Sequence, residues 1–273
     1  MLRLAKYLPL PRLPSSAFAN KIRSIISSVY ERVLWNQIKD GNMPEHLAII
    51  LDGNRRYARR FGLDLWIGHK YGAEKVKDFL DWAFEAGIKV VTLYVFSTEN
   101  FMRSRREVDE IMKLAVEKFE EILRDARIHK HRVRVKAIGR INLLPKEVQA
   151  AIRRAEEATK HYDKFQLNVA IGYGGRAEIV DAIKEIAKEV KNGKISIDDI
   201  DEKLIENHLY TSGIPDPALI IRTSGEERLS GFLLWQSAYS ELYFCDVYWP
   251  AMRKIDFWRA LRTYQMRERR FGR

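Results

Sequence analysis

At 273 residues, 46% hydrophobic and 31% charged, the chain can bury a sizeable core as one α/β domain. No stretch reaches the roughly 18 uninterrupted apolar residues of a membrane span, the start lacks the apolar core of a signal peptide, and Cys245, the single cysteine, excludes an intrachain disulfide and a cysteine-cluster metal site. A soluble, cytoplasmic protein is expected, and the formal net charge of +11 asks for an anionic partner, whether nucleic acid, membrane surface or polyphosphate.

Residues 1–43 read as a basic amphipathic extension ahead of a domain at 44–273. Pro and basic residues dominate up to Arg12; then Phe18, Ile22, Ile25, Val29 and Val33 recur at helical spacing beside Lys21, Arg23 and Arg32. Such a helix suits the surface of an anionic membrane, as a peripheral contact, or packs on the protein's own body. Apolar runs then alternate with amphipathic segments. Strands are expected at Leu47 to Leu51, Val90 to Phe96, Val133 to Ile138, Leu167 to Ile171 and Leu219 to Ile221, with a sixth at Leu242 to Cys245. Helices are expected at Ala73 to Ala86, Glu107 to His129, Lys146 to Tyr162, Glu178 to Lys191 and Phe257 to Arg269. This alternation predicts a central, largely parallel six-stranded sheet flanked by helices, whose ligands collect beyond the carboxyl ends of the strands.

The chemistry concentrates at those ends. Asp52-Gly53-Asn54-Arg55-Arg56 follows the first strand directly. A helix starting near Asn54 would turn free N–H groups toward a polyanion, Gly53 would let the backbone approach, and Asp52 could hold Mg²⁺ against diphosphate oxygens. A turn leading to a solvated basic helix is the other reading of these five residues. Ser97, Thr98, Glu99, Asn100, Arg103 and Glu107 follow the second strand; Arg222, Thr223, Ser224, Gly225, Glu226, Arg228 and Ser230 close the fifth. Three strand ends thus each supply arginine beside hydroxyls, carboxamides or carboxylates, which points to a shared phosphate-handling crevice.

Other classes fare worse. There is no P-loop motif, and Gly172-Tyr173-Gly174-Gly175-Arg176 reads as a tight strand-to-helix turn rather than a dinucleotide fingerprint. Asp198-Asp199-Ile200-Asp201-Glu202 looks like an aspartate-rich metal motif but reads better as a helix cap. His69 is either a phosphate donor or a core histidine, whereas His129, His131, His161 and His208 read as surface residues. No zinc-finger spacing, RNP motif or basic zipper backs a nucleic-acid role, and none is expected.

Several of these motifs, in order from His46 onward, resemble the cis-prenyltransferases, the family of undecaprenyl and dehydrodolichyl diphosphate synthases. They are His46 to Ala58; Gly68-His69; Phe96-Ser97-Thr98-Glu99-Asn100-Phe101 with Arg103 and Glu107; Tyr173-Gly174-Gly175-Arg176; Ile221 to Glu226 with Arg228 and Ser230; and Phe232-Leu233-Leu234-Trp235-Gln236 with Glu241. The resemblance implies a Mg²⁺-dependent Z-type polyprenyl diphosphate synthase that adds isopentenyl diphosphate to an allylic diphosphate, making a long-chain lipid glycosyl carrier precursor in a hydrophobic tunnel. It implies Asp52 as the metal-diphosphate aspartate, with Glu241 as a second metal-associated carboxylate. Gly53, Asn54, Arg55, Arg56, Tyr57 and His69 fall around the allylic diphosphate, and Arg222, Arg228 and Ser230 at the isopentenyl diphosphate. Ser97, Asn100, Phe101, Arg103 and Glu107 fall between the two, Asn100 among the catalytic residues, with Asn54 and Ser97 or a diphosphate oxygen assisting proton loss. Val95 and Phe165 match tunnel-lining positions. Arg270-Phe271-Gly272 matches an R-x-G element in which Arg270 and Gly272 reach a partner's active site, implying a homodimer.

Arg55, Tyr57 and Ser224 are of the archaeal and eukaryotic type, and favour a C20 geranylgeranyl primer over C15 farnesyl. Leu65 departs from the family's usual arginine, for which Arg59 or Arg60 would have to compensate. A noncatalytic accessory subunit is the alternative within the family, but the metal aspartate and diphosphate arginines such subunits lose are retained here.

Overall fold

The computed structural model describes residues 17–267, with side chains from residue 27 onward. In chain order the elements are α1 (Ala17–Ile38), β1 (His46–Ile50), α2 (Asn54–Arg60), α3 (Leu65–Glu85), β2 (Val90–Ser97), α4 (Arg105–Ile122), α5 (Ala126–Lys130), β3 (Val133–Ile138), α6 (Lys146–Thr159), β4 (Phe165–Tyr173), α7 (Gly175–Lys191), α8 (Glu202–His208), β5 (Leu219–Arg222), β6 (Glu241–Phe244) and α9 (Lys254–Gln265). All six expected strands form one sheet in the order β3-β4-β2-β1-β5-β6. Every pairing is parallel. Both faces are covered, so β1 is buried along its whole length, as its unbroken apolar run requires.

Strand alternation divides the core in two. Leu47, Ile49, Val91, Leu93, Leu167 and Val169 face one way, into a cluster with α1, α3, α4, α6 and α9; Ala48, Ile50, Tyr94 and Ala170 face the other, against Tyr173, Phe232 and Leu233. A polar seam crosses the second face. His46 Nε2 lies 2.7 Å from Thr92 Oγ1, which accepts from Asn168 Nδ2 at 3.0 Å, while His46 Nδ1 lies 2.6 Å from Pro215 O. Burial, partly offset by the Pro215 carbonyl, lowers the His46 pKa from its ordinary value to about 4.

Helix limits differ from expectation where tertiary packing outweighs periodicity. The single helix expected from Glu107 to His129 is two, because the Asp125 carboxylate accepts from Arg127 N at 2.9 Å and caps α5. Helix α3 starts at Leu65 rather than Ala73. Gly68 and Gly72 weaken its apolar pattern but let it lie against α2: a Cβ on Gly68 would stand 2.1 Å from Asn54 O. The Asp198–Glu202 stretch does cap, through Ser196 with Asp199 and through Asp201 at the start of α8. Gly174 and Gly175 make the expected strand-to-helix turn, pressed against Thr98 and Gly231. Of the histidines read as surface residues only His161 is exposed; His129 bonds Tyr162 and Leu123, His131 stacks on Phe84, and His208 pairs with Glu189.

The 43/44 boundary does not separate two bodies. Leu34 and Ile38 are fully buried in the main core, Trp35 packs on Trp258 with ring centroids 4.7 Å apart, and Gln265 Nε2 donates to Ile38 O at 2.9 Å. The later half of α1 is therefore an integral helix on α9, while Val29 and Val33 stay exposed. The side chains of Lys21, Phe18, Ile22, Arg23 and Ile25, and residues Arg270 to Gly272, lie outside those described. No helix among the described residues is long and apolar enough to cross a membrane.

Candidate active site

Because the sheet is parallel, Ser97, Asp52 and Thr223 stand at the same edge, at the carboxyl ends of the neighbouring strands β2, β1 and β5. Between them lies a cavity of about 720 Å³. Asp52, Gly53, Asn54, Arg55, Arg56, His69, Ser97, Asn100, Arg103, Arg222, Arg228 and Ser230, expected from four separate stretches, all line it, with Glu99, Tyr94 and Arg59. Six arginines face two carboxylates there, the charge balance of a site for polyanions.

Asp52 is the hub. Its Oδ2 accepts from Arg222 Nη2 at 2.8 Å, its Oδ1 accepts from Gly53 N at 2.6 Å, and Arg56 Nη2 stands 3.4 Å from Oδ1. Burial alone would raise the Asp52 carboxyl, but Arg222, the Gly53 amide and Arg56 together outweigh it and hold the group below the ordinary carboxylate range. The backbone of Asp52 is pinned too, its N–H donating to Thr223 Oγ1 at 3.0 Å and its carbonyl accepting from Thr223 Oγ1 at 2.7 Å and Trp249 N at 3.0 Å. Gly53 then turns the chain into α2 at φ 100°, a conformation that disfavours a side chain. Helix geometry leaves the first N–H groups of α2 without intrahelical partners at the crevice floor.

Arg222, 5% exposed at its side chain, also ties down the opposite wall: its Nη1 donates to Ser230 Oγ at 2.8 Å and to the Arg228 carbonyl. Ser224 and Ser230 hold positive φ, 78° and 50°, so this loop is set in a costly shape by its contacts. Arg56 secures it from the other side through Ser224 Oγ at 2.5 Å and Glu226 Oε1 at 2.9 Å. Across the crevice, Glu107 Oε1 is shared by His69 Nε2 at 3.2 Å, Arg103 Nη1 at 3.2 Å and Arg55 Nε at 3.5 Å. His69 most strongly, then Arg103 and Arg55, keep Glu107 ionised below its usual range despite burial. Ser97 and Asn100 satisfy each other reciprocally, Asn100 N donating to Ser97 Oγ and Ser97 N to Asn100 Oδ1.

Five expected site residues are placed elsewhere or otherwise. Glu107 backs the crevice wall rather than lining it. Tyr57 packs with Phe61 and Tyr71, and Phe101 edges onto Phe96 with ring centroids 4.9 Å apart. Phe165 sits at the amino end of β4 against Phe84 and His131, not in the tunnel wall. Glu241 is the main correction: the parallel register sets it beside Leu219 at the amino ends of the strands, where it pairs with Arg267, so within one chain it cannot share an ion with Asp52. Arg270 and Gly272 fall outside the described residues. Of the two arginines near Leu65, Arg59 lines the crevice and Arg60 does not. Tyr94, Tyr248 and Trp249 gave no sequence signal. Tyr94 stacks on Phe232 and reaches Ser230 O at 3.4 Å, Tyr248 lies under Arg56, and Trp249 locks Gly72 through its indole N–H at 2.7 Å.

Leu51, Asn54, His69 and Val95 belong to a second cavity as well, of about 160 Å³, running between α3, α4 and the sheet. Its wall is aliphatic and aromatic, with Val76, Leu80, Ile111, Phe119, Leu167 and Ile171. A cationic crevice thus opens directly into an apolar slot.

Residues 50–272 match the family described as putative undecaprenyl diphosphate synthase. The chain is 59% identical over 249 residues to a tritrans,polycis-undecaprenyl-diphosphate synthase (geranylgeranyl-diphosphate specific) of Methanocaldococcus jannaschii, covering 90% of this chain and 89% of that one. A protein of the same description from Methanopyrus kandleri is 54% identical, with 91% and 92% covered. Lavandulyl diphosphate synthase from Lavandula x intermedia, solved with dimethylallyl diphosphate, superposes with a TM-score of 0.80 at 37% identity over 85% of this chain and 99% of its own. These matches and the geometry agree: the chain belongs to the undecaprenyl diphosphate synthase family, the cis-prenyltransferases, and is a prenyltransferase.

Proposed function

We propose that this enzyme elongates an allylic diphosphate, geranylgeranyl in preference to farnesyl diphosphate, with successive isopentenyl diphosphate units in Z geometry, giving a long-chain polyprenyl diphosphate for a lipid glycosyl carrier. The observation that carries this is the junction at Asn54 and His69, where a six-arginine crevice continues into an apolar slot. One end suits diphosphate and the other hydrocarbon.

The allylic diphosphate lies over the amino end of α2, held by Gly53 to Arg56 and His69, with its tail in the slot. Isopentenyl diphosphate lies against Arg222, Arg228 and Ser230. The allylic C1–O bond breaks and the diphosphate leaves with the electron pair, drawn by Arg55, Arg56 and Arg103. The terminal alkene carbon of isopentenyl diphosphate forms the new bond to C1, and a proton leaves its C2 to restore a double bond. Asp52 and Glu107, both held ionised by cations, are poor bases, and Ser97 and Asn100 are engaged with each other, so a diphosphate oxygen takes the proton.

The donor set fits Mg²⁺ in one way only. Among the described residues no group of three or more His, Cys, Asp or Glu side chains could hold a metal. Mg²⁺, however, commonly binds through one or two carboxylates with phosphates and water supplying the rest. Asp52 would hold an ion arriving with diphosphate, and that ion would neutralise charge on the leaving group. Mg²⁺ dependence with a metal affinity that rises in the presence of diphosphate, read by calorimetry, tests this; tight binding to the protein alone contradicts it.

A homodimer completed by Arg270 and Gly272, and a weak peripheral membrane contact by the start of α1, belong to the same proposal. Sedimentation of a chain ending before Arg270, and salt-sensitive pelleting with anionic vesicles of chains with and without residues 1–26, test the two.

A further inference from the structure

The slot between α3 and α4 ends at charge. Its lining is apolar except for the polar mouth and for Lys77, Lys118, Glu121 and Asp125. Lys77 stands two turns of α3, about 12 Å, beyond His69, where a tail fixed at the crevice would arrive. Asp125 is occupied locally, capping α5 and bonding Arg127. The remaining charges form a closed ring with Glu74.

Within α3, Lys77 Nζ meets Glu74 Oε2 at 2.9 Å; within α4, Lys118 Nζ meets Glu121 Oε2 at 2.7 Å. Two further pairs cross between the helices, Lys118 with Glu74 and Lys77 with Glu121. Signs alternate around the ring, so each charge has two opposite neighbours and the ring carries no net charge. Isolated surface pairs contribute little, about 0–1 kcal/mol. These four differ in being cyclic, in bridging the two walls of a cavity, and in having three members 22–35% exposed at the side chain. The slot's 160 Å³ lies below the ~300–1,000 Å³ of ordinary ligand sites. A long hydrocarbon therefore fits only if the slot widens, and the ring is a bond across two of its walls, α3 and α4.

We propose that the Glu74–Lys118–Glu121–Lys77 ring is a latch between α3 and α4 that halts the tail of the growing chain and so sets product length. This rests on the elongation reading above. An apolar tail reaching the ring can neither solvate its charges nor pass without parting the two cross-helix pairs. Elongation stops when the next unit no longer fits behind it.

Charge reversal separates the latch from mere composition. Glu74→Lys with Lys77→Glu keeps the pair within α3 but sets like charges against Lys118 and Glu121, opening the cross-helix links. Adding Lys118→Glu and Glu121→Lys restores all four pairings of the ring with opposite sign; Glu117, 3.4 Å from Lys118 Nζ and exposed, lies outside the ring and is changed to Gln in every variant compared and in the reference enzyme. Products made with geranylgeranyl diphosphate and labelled isopentenyl diphosphate are dephosphorylated and sized. The half-reversed enzyme is expected to make products at least one five-carbon unit longer, and the fully reversed enzyme to return to the original length. Lys118→Met, which keeps the apolar stem and removes two links, also lengthens the product and stands as the test if the half-reversed chain does not fold. Products of unchanged or shorter length, or failure of full reversal to restore it, overturn the latch. No label incorporated by the unaltered enzyme overturns the elongation reading instead.

Discussion

Replacing Gly72 with alanine should cost the enzyme most of its turnover while leaving its fold in place. An added Cβ would stand 2.2 Å from Asn54 Oδ1 and 3.0 Å from Trp249 Cδ1, where ordinary contact begins at 3.4 Å. Trp249 cannot yield, since its indole N–H is bonded to Gly72 O and its backbone N–H to Asp52 O. Asn54, held only by Nδ2 on Leu51 O at 2.9 Å, must therefore retreat by about 1 Å. A displacement of that size at a reacting centre costs about 10²-fold in rate, or about 2.7 kcal/mol of transition-state stabilisation. Overpacking should also lower stability by about 1–3 kcal/mol. First-addition kinetics with labelled isopentenyl diphosphate and urea unfolding measure the two effects. If the loss acts through Asn54, the double variant Gly72→Ala/Asn54→Ala should be little worse than Asn54→Ala alone. A near-normal kcat in Gly72→Ala, or losses that multiply in the double variant, would refute the reasoning.

Asp52→Asn keeps size but removes the charge and turns one of the two acceptor oxygens, which face Arg222 and the Gly53 amide, into a donor; it should lower kcat by roughly 10²–10³-fold with circular dichroism unchanged, and activity close to normal contradicts its assigned role. Arg228→Ala, at an exposed side chain, should raise the KM for isopentenyl diphosphate about 10-fold or more, from loss of one charge-assisted bond of about 1.5–3 kcal/mol. Arg222→Ala should lower kcat as well, because it also frees Asp52 and the Ser230 loop; a KM effect alone would show that anchoring to be idle. His46, near 4 in the folded state against 6.5 unfolded, leaves the unfolded chain binding more protons between those values. Its contribution is therefore complete above pH 6.5 and lost as pH falls toward 4. Between pH 8 and pH 5 the unaltered protein should lose about 2 kcal/mol more unfolding free energy than His46→Gln, a difference absent if His46 titrates normally.

The strands were legible because a sheet buried on both faces writes continuous apolar runs, as Leu47 to Leu51 and Val90 to Phe96 show. The crevice followed, since parallel strands bring their carboxyl ends together and the motifs mark those ends. What stayed hidden depended on register and side-chain reach. Glu241 stands at the start of its strand whereas Asp52 follows the end of its own, and the parallel register with Leu219 sends it to the opposite edge. Helix α3 was underestimated because Gly68 and Gly72 break its pattern for the sake of contact with Asn54, a partner that periodicity does not reveal. Tyr94 reads as one more core aromatic until its stack on Phe232 places it beneath Ser230. The ring at Glu74 and Lys118 looks in sequence like ordinary helix-surface charge.

The central claim is that arginine crevice and apolar slot act together in Z-elongation. Incubating the full chain with Mg²⁺, labelled isopentenyl diphosphate and either geranylgeranyl or farnesyl diphosphate, then sizing the dephosphorylated products and assigning double-bond geometry by NMR, tests it most directly. The expected result is a long polyprenyl chain whose added units are all Z, formed faster from the geranylgeranyl primer. Failure to elongate either primer, or added units in E geometry, would contradict it.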